Sequence, residues 1–328
     1  MTKLTLTSVF FALAATTAIA QDADRSDWPS TLVVGTASPG GTYAIYGQGL
    51  ASILSETLGV TASTQQTQGP AHNIVLVDGN RIDIGMTTMG PAYEAMHGEL
   101  DMNPGTEYTS LRALFPMYLT PFQGAALQRS GISSVSDLAG KTIGTGPRGG
   151  TGGTYWERWL GALKVESSIQ NGPIGDQTSQ LADGRLDAVT TAAGIPIAAF
   201  TELETLAPTV MFGFTLDEIK VIEEMSPFAQ SFTIPEGTYS SQTGPIETVA
   251  MWNVAFANAE MPESLAYEIV KTVFEKHDDL VATHAAAVET LVANAGANDV
   301  LPYHPGAVRY YREQGIELPA GALPEGME

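Results

Sequence analysis

Two glycine- and hydroxyl-rich segments carry the residue types best suited to hold an anion. Ser38-Pro39-Gly40-Gly41-Thr42-Tyr43 and Arg148-Gly149-Gly150-Thr151-Gly152-Gly153-Thr154 combine glycines, which let backbone N–H groups come close to a ligand, with hydroxyls that donate without bulk. The pairs Thr87-Thr88 and Thr190-Thr191 each end a short run that reads as a strand. Read structurally, the same residues are tight turns with threonine helix caps. Arg148 is one of only 15 basic residues against 36 acidic ones, and its guanidinium could grip a carboxylate or sulfonate through a two-pronged bond. Pairing with Glu157, or solvent, is its alternative.

Catalytic patterns are scarce by comparison. Gly144-x-Gly146-x-x-Gly149 matches the dinucleotide fingerprint in letters, but Pro147 and the glycine run delay the helix to about Gly153, so the third glycine cannot pack inside it. Gly140-Lys141-Thr142 resembles the end of a phosphate-binding loop, yet Val135 stands where its first glycine belongs. The five histidines form no H-E-x-x-H, and no G-x-S-x-G occurs. His97 lies one helical turn after Glu94, and His277 and His284 are seven apart, spacings that fit solvated helix faces. His72 and His304 follow turns. The pairs Glu223-Glu224 and Asp278-Asp279 are sequence neighbours, so they do not share a helical face. No cofactor and no metal are expected.

The elements that must position the glycine loops follow a βαβα rhythm. Apolar, β-branched runs at 31–37, 60–67 and 82–87 alternate with amphipathic stretches at 47–58 and 73–78, and a second set spans 141–145, 154–163 and 186–191 with a helix after Pro196. This is the pattern of a parallel, doubly wound sheet. It also repeats in letters. Gly35-Thr36 with Gly40-Gly41-Thr42-Tyr43 returns as Gly144-Thr145 with Gly152-Gly153-Thr154-Tyr155, and Asp78-Gly79-Asn80-Arg81-Ile82-Asp83 returns as Asp183-Gly184-Arg185-Leu186-Asp187. Between the sets, extended segments at 111–118 and 122–128, separated by Pro121, and another at 248–257 mark where the chain crosses between two lobes. Residues 28–118 with 249–328 then form lobe 1, and 119–248 form lobe 2.

A net charge of −21 repels nucleic acid and anionic membrane surfaces, so an anionic ligand must be held by local donors against the global field. With no cysteine, disulfides, thiolate metal sites and cysteine nucleophiles are excluded together. Lys3, the apolar run from Val9 to Ala15 and the ending Ala18-Ile19-Ala20 read as a cleaved export signal over 1–20, hence a periplasmic location.

The sequence resembles the TAXI branch of TRAP-transporter solute receptors. The matching pieces run in order: Val34-Gly35-Thr36 with Gly40-Gly41-Thr42-Tyr43, the turn from Gly69 to Asn73, Asp137-Leu138-Ala139-Gly140-Lys141, Gly194-Ile195-Pro196, Ile234-Pro235-Glu236-Gly237-Thr238-Tyr239, Glu247-Thr248-Val249-Ala250, and His304-Pro305-Gly306-Ala307 with Tyr310-Tyr311. The resemblance implies a type II periplasmic-binding-protein fold, two α/β lobes on a two-strand hinge, and a receptor rather than an enzyme, the alternative being an exported transferase or lyase that uses the same cleft on a carboxylate substrate. It also implies capture of a glutamate- or glutamine-like amino acid or a related organic acid, and delivery to TRAP-type membrane subunits. The chain departs from the pattern at Thr67-Gln68-Gly69-Pro70-Ala71 and at 147–154, both in the proposed cleft, so the ligand is not carried over. Ligand contacts are expected from Ser38, Gly41, Thr42, Tyr43, Thr67, Gln68, Thr87 and Thr88, facing Arg148, Gly149, Thr151, Gly152, Thr191 and Gly194. A clamp with both lobe faces free is expected to be a monomer.

Overall fold

A computed structural model describes residues 25–327, so the export signal expected at 1–20 lies outside the described residues. The chain opens with β1 (Thr31–Gly35), α1 (Thr42–Leu58), β2 (Thr61–Gln65), α2 (Pro70–Asp78), β3 (Ile84–Thr88) and α3 (Met89–Met96). The β-branched and aliphatic run of β1 suits a central strand, and β2 and β3 flank it in parallel. Helix α1 stops at Gly59, whose φ of 72° reverses the chain, and α2 starts on Pro70, whose fixed φ suits a first turn.

β4 (Leu111–Leu127) then runs unbroken through Pro116 and Pro121, where the sequence suggests two segments. Pro121 lies opposite Ala250 and its carbonyl still accepts from Ala193 N, so the strand continues without the missing N–H. Next come β5 (Thr142–Gly144), α4 (Thr151–Ala162), β6 (Ser168–Gln170), α5 (Ile174–Ala182), β7 (Ala188–Ala192), α6 (Ala198–Leu206), β8 (Thr209–Phe212), α7 (Leu216–Met225) and β9 (Gln230–Ile234). β10 (Ile246–Asn258) returns beside β4, and α8 (Glu263–Glu275), α9 (His277–Thr283) and α10 (Pro305–Glu313) complete the fold.

The strand order is β2-β1-β3-β10-β4-β7-β5-β6, with β8 also on β4 and β9 on β10. β1, β2 and β3 are parallel, as are β5, β6 and β7, whereas β4 and β10 run antiparallel to each other and to β7 and β3 respectively. The sheet is therefore mixed rather than wholly parallel. A chain that enters one half along one strand and leaves along its neighbour must run the two in opposite directions.

One apolar core draws on residues from Leu32 to Tyr118 and from Val254 to Ala322, and two further clusters draw on residues from Phe122 to Met251. The two halves share a bonding pattern. Asp83 donates its N–H to Val33 O at 2.9 Å and accepts Val33 N on its carboxylate at 2.7 Å; Asp187 does both with Thr142, each at 2.8 Å. Thr36 N donates to Gln65 O, and Thr145 N to Gln170 O, at the matching strand ends. The letter repeat around these aspartates thus marks a structural repeat.

His304 caps α10. Its Nδ1 accepts Gly306 N at 3.2 Å, its Nε2 donates to Met261 O at 2.9 Å, and burial pushes its pKa down from 6.5 to about 4. The folded state keeps the ring neutral, so its contribution is complete above about pH 6.5 and is lost as pH falls from there toward 4. His304→Asn, which retains a capping oxygen, should flatten the decline of unfolding free energy across that window in urea titrations. An unchanged slope would remove His304 from the acid response.

Candidate functional site

A cavity lies between the halves, at the ends of strands from both. The loop after β1 supplies Ala37, Ser38, Gly41, Thr42 and Tyr43, and β3 ends in it with Thr88; the other half brings Thr145, Pro147, the run 150–153 and Thr191. The space open to the centre of a water-sized sphere is about 60 Å³, room for a small molecule. This is where open α/β sheets present loop amides and helix starts to a ligand.

Helix α1 begins after Gly41 (φ −95°, ψ 160°) and α4 after Gly150 (φ −87°, ψ 153°), the same extended cap in each half. Gly41-Thr42 therefore corresponds to Gly150-Thr151. The GGTY letters align Thr42 with Thr154 instead, because the helix starts three residues before the position expected from the sequence. No side chain caps α1 or α4, whose first residues lie at the cavity, whereas the starts of three neighbouring helices are engaged, with Ser38 Oγ accepting Ile174 N of α5, Gly149 O accepting Ala71 N of α2 and Gly40 O accepting Ala199 N of α6. By contrast α7, away from the cavity, has a complete capping box from Thr215 and Glu218. Helix starts left without side-chain acceptors keep first-turn N–H groups and a positive dipole end for a bound group.

Both halves touch across the cavity. Thr42 Oγ1 donates to Gly194 O at 2.6 Å, the hydroxyls of Thr88 and Thr151 lie 2.8 Å apart, and Ala71 N donates to Gly149 O at 3.1 Å. Gly69, at φ 106°, passes so near the opposite half that a Cβ would sit 3.2 Å from Gly150 Cα.

Two polar residues of the crossing strands also line the cavity, Thr120 on β4 and Asn253 on β10. The β4 and β10 ladder shifts register between Trp252 and Val254, a bulge that puts Asn253 out of the regular pairing. Its amide donates to Tyr118 O at 2.7 Å and to Thr120 Oγ1, and its Oδ1 accepts Tyr43 OH at 2.6 Å. Burial, with Tyr46 adding to it, raises the Tyr43 pKa well above 10, so the phenol stays neutral.

Of the contacts expected from sequence, Ser38, Gly41, Thr42, Tyr43, Gln68, Thr88, Thr151, Gly152 and Thr191 line the cavity. Thr67 lies behind it, donating to Thr36 O and accepting from Gly69 N, and it shapes the loop. Thr87 is buried with its hydroxyl bonded to Thr88 O, and Gly194 takes part through its carbonyl. Arg148 is exposed and, with Gly149, borders a separate outer depression beside Glu157 and Arg158. Arg148, expected to anchor a ligand in the cavity, thus lies outside its lining. Thr120 and Asn253 were missed: an extended apolar stretch gives no sign that one side chain turns toward a cavity.

A model of the NMT1-like family matches residues 34–315. The chain belongs to the NMT1-like family. Among solved structures it is similar to the periplasmic binding protein BugD, at 14% identity over 88% of this chain and 94% of that one, with a TM-score of 0.57. It is also similar to an adipate-bound R. palustris protein, at 17% identity over 76% and 84% with a TM-score of 0.53, and to malate-bound MatC from Rhodopseudomonas palustris, at 14% over 78% and 88% with 0.52. At such identities the likeness is one of fold, the type II periplasmic-binding-protein arrangement.

In this NMT1-like protein the charge pairing between halves lies outside the cavity. Arg158 on α4 reaches Glu94 on α3 at 2.5 Å and Asp101 at 2.8 Å, and the same Glu94 oxygen accepts Tyr155 OH at 2.6 Å. Glu94 is almost fully buried while Arg158 is about one-third exposed, so solvent screens part of the attraction. Arg158→Ala leaves the buried carboxylate with only the phenol, and should lower unfolding free energy by about 1–3 kcal/mol. Chemical denaturation checks this; an unchanged midpoint and slope would show the pair to be idle.

Proposed function

We propose that this protein is an extracytoplasmic solute receptor of the TAXI branch, which captures a small organic acid or amino acid between its lobes and hands it to TRAP-type membrane subunits. The observation that carries this reading is the cavity itself, bounded by uncapped starts of α1 and α4 that belong to opposite halves. A small anion there would meet helix ends from both sides, so its contacts would be complete only when the halves are together. Such a ligand shifts the population toward the closed form, the form membrane subunits would recognise. Two similar structures hold dicarboxylates, adipate and malate, which agrees with an acid ligand.

The closing units are lobe 1 (28–118 with 249–328) and lobe 2 (119–248), with β4 and β10 as hinge. Val249 and Met251 pack with the second core, close to the later boundary of this division. Export through the 1–20 leader and action as a monomer belong to the same reading. An exported enzyme using the cavity is less well supported. Among the described residues lining it, Tyr43 is the one ionisable side chain, and its raised pKa leaves no group poised for proton transfer near neutral pH.

The test is a thermal-shift screen over amino acids, dicarboxylates, keto acids and sulfonates, with light scattering and NMR on the hits. A true ligand at 100 times its Kd should stabilise the protein by about 2.7 kcal/mol, in a monomer, with no product formed. Turnover of any hit would overthrow the receptor reading, and a dimer that survives dilution would overturn the monomer.

A further inference from the structure

The receptor reading leaves the class of acid open, and the hydrogen-bond economy of the cavity narrows it. Several acceptors around the cavity are already engaged. Asn253 Oδ1 takes Tyr43 OH, and Gly194 O takes the Thr42 hydroxyl. Gly41 O takes Ala44 N, Gly150 O takes Thr154 N, and Thr191 O takes Trp156 Nε1.

Donors are in the opposite condition. Thr120 Oγ1 accepts from Asn253, Thr145 Oγ1 accepts from Asn171 Nδ2 at 3.0 Å, and Ser38 Oγ accepts from Ile174 N at 3.4 Å. Each of these hydroxyls still has its own hydrogen to give. In the Thr88 and Thr151 pair one hydroxyl donates to the other, which leaves one further O–H. Added to these are the first-turn amides of α1 and α4.

No Asp, Glu, Lys, Arg or His is among the described residues that line the cavity. An ammonium group brought here would meet positive dipole ends, with no carboxylate to neutralise it. A second carboxylate would have no guanidinium or ammonium of its own. Apart from Gln68 and Thr191, the remaining wall is largely apolar, from Ala37, Pro147, Ile174, Ala192, Ala193 and Ile197.

Resting on the receptor reading, we infer that the ligand is a short monocarboxylate without an amino group, such as a 2-oxo acid with a small aliphatic tail. The carboxylate and a neighbouring carbonyl oxygen accept from the helix amides and hydroxyls. The tail lies on the isoleucine and alanine wall.

Calorimetry with 2-oxobutyrate, 2-aminobutyrate, succinate and butyramide on the full chain tests this, since the four are close in size and differ in charge and donor pattern. Binding of 2-oxobutyrate should exceed that of 2-aminobutyrate and succinate by about 100-fold or more, because each of the latter buries an unmatched charge. Butyramide, lacking the anion, should also bind more weakly. Thr120→Val, which removes a donor at nearly constant shape, should weaken 2-oxobutyrate binding about 10-fold, the worth of one hydrogen bond to a charged group. Equal or tighter binding of 2-aminobutyrate or succinate would overturn the inference while leaving the receptor reading standing. Failure of all four, with any other compound from the wider screen binding in the cavity, would do the same. Failure of every compound in both experiments would remove both.

Discussion

Asn253 makes three side-chain hydrogen bonds at the bulge where the ladder between β4 and β10 breaks register. Its amide joins the two crossing strands through Tyr118 and Thr120, and its oxygen fixes the phenol of Tyr43 at the start of α1. Its backbone also pairs with Thr88 at the end of β3. One buried residue therefore ties together the crossing strands, a helix start and a strand end that all face the cavity. Loss of any partner would leave a buried polar group unmatched, a cost of about 1–3 kcal/mol, so these elements hold their positions together.

From that junction the two halves extend as variations on one plan. Asp83 and Asp187 pin β1 and β5 through the same pair of bonds, and glycine caps begin α1 and α4 in the same extended conformation. The consequence is a cavity with approximate symmetry in its chemistry. Amides and hydroxyls meet amides and hydroxyls, and charge is kept outside, where Arg158, Glu94 and Asp101 pair across the halves. In a chain of net charge −21, neutral donors in a small enclosed space are the means by which a local field can favour an anion over the global one.

Much of this was legible in the residues. The repeated aspartate turns and threonine pairs gave the two-part α/β plan, and nine expected contacts line the cavity, from Ser38 and Thr42 to Thr151 and Thr191. Two errors have physical causes. The letters GGTY occur twice, but helix initiation follows the backbone, which begins at Thr151 after the extended Gly150, so a letter match misaligned the halves; Arg148, expected inward from its glycine-rich loop, lies exposed outside the cavity. Thr120 and Asn253 sit in long strands whose apolar neighbours dominate the pattern, and neither a bulge nor a cross-strand bond leaves a local signature. The mixed sense of the sheet was likewise hidden, since it follows from connectivity rather than from strand composition.

The central claim, that opposing helix starts grip one ligand, is open to a direct measurement. Amide ¹H and ¹⁵N shifts of Thr42, Tyr43, Thr151 and Gly152 can be followed while an acid that stabilises the protein is titrated in. The account predicts that all four move together, with one dissociation constant, as hydrogen bonds form at both helix ends. Shifts confined to one half, or saturation with the amides of α1 and α4 unmoved, would contradict it.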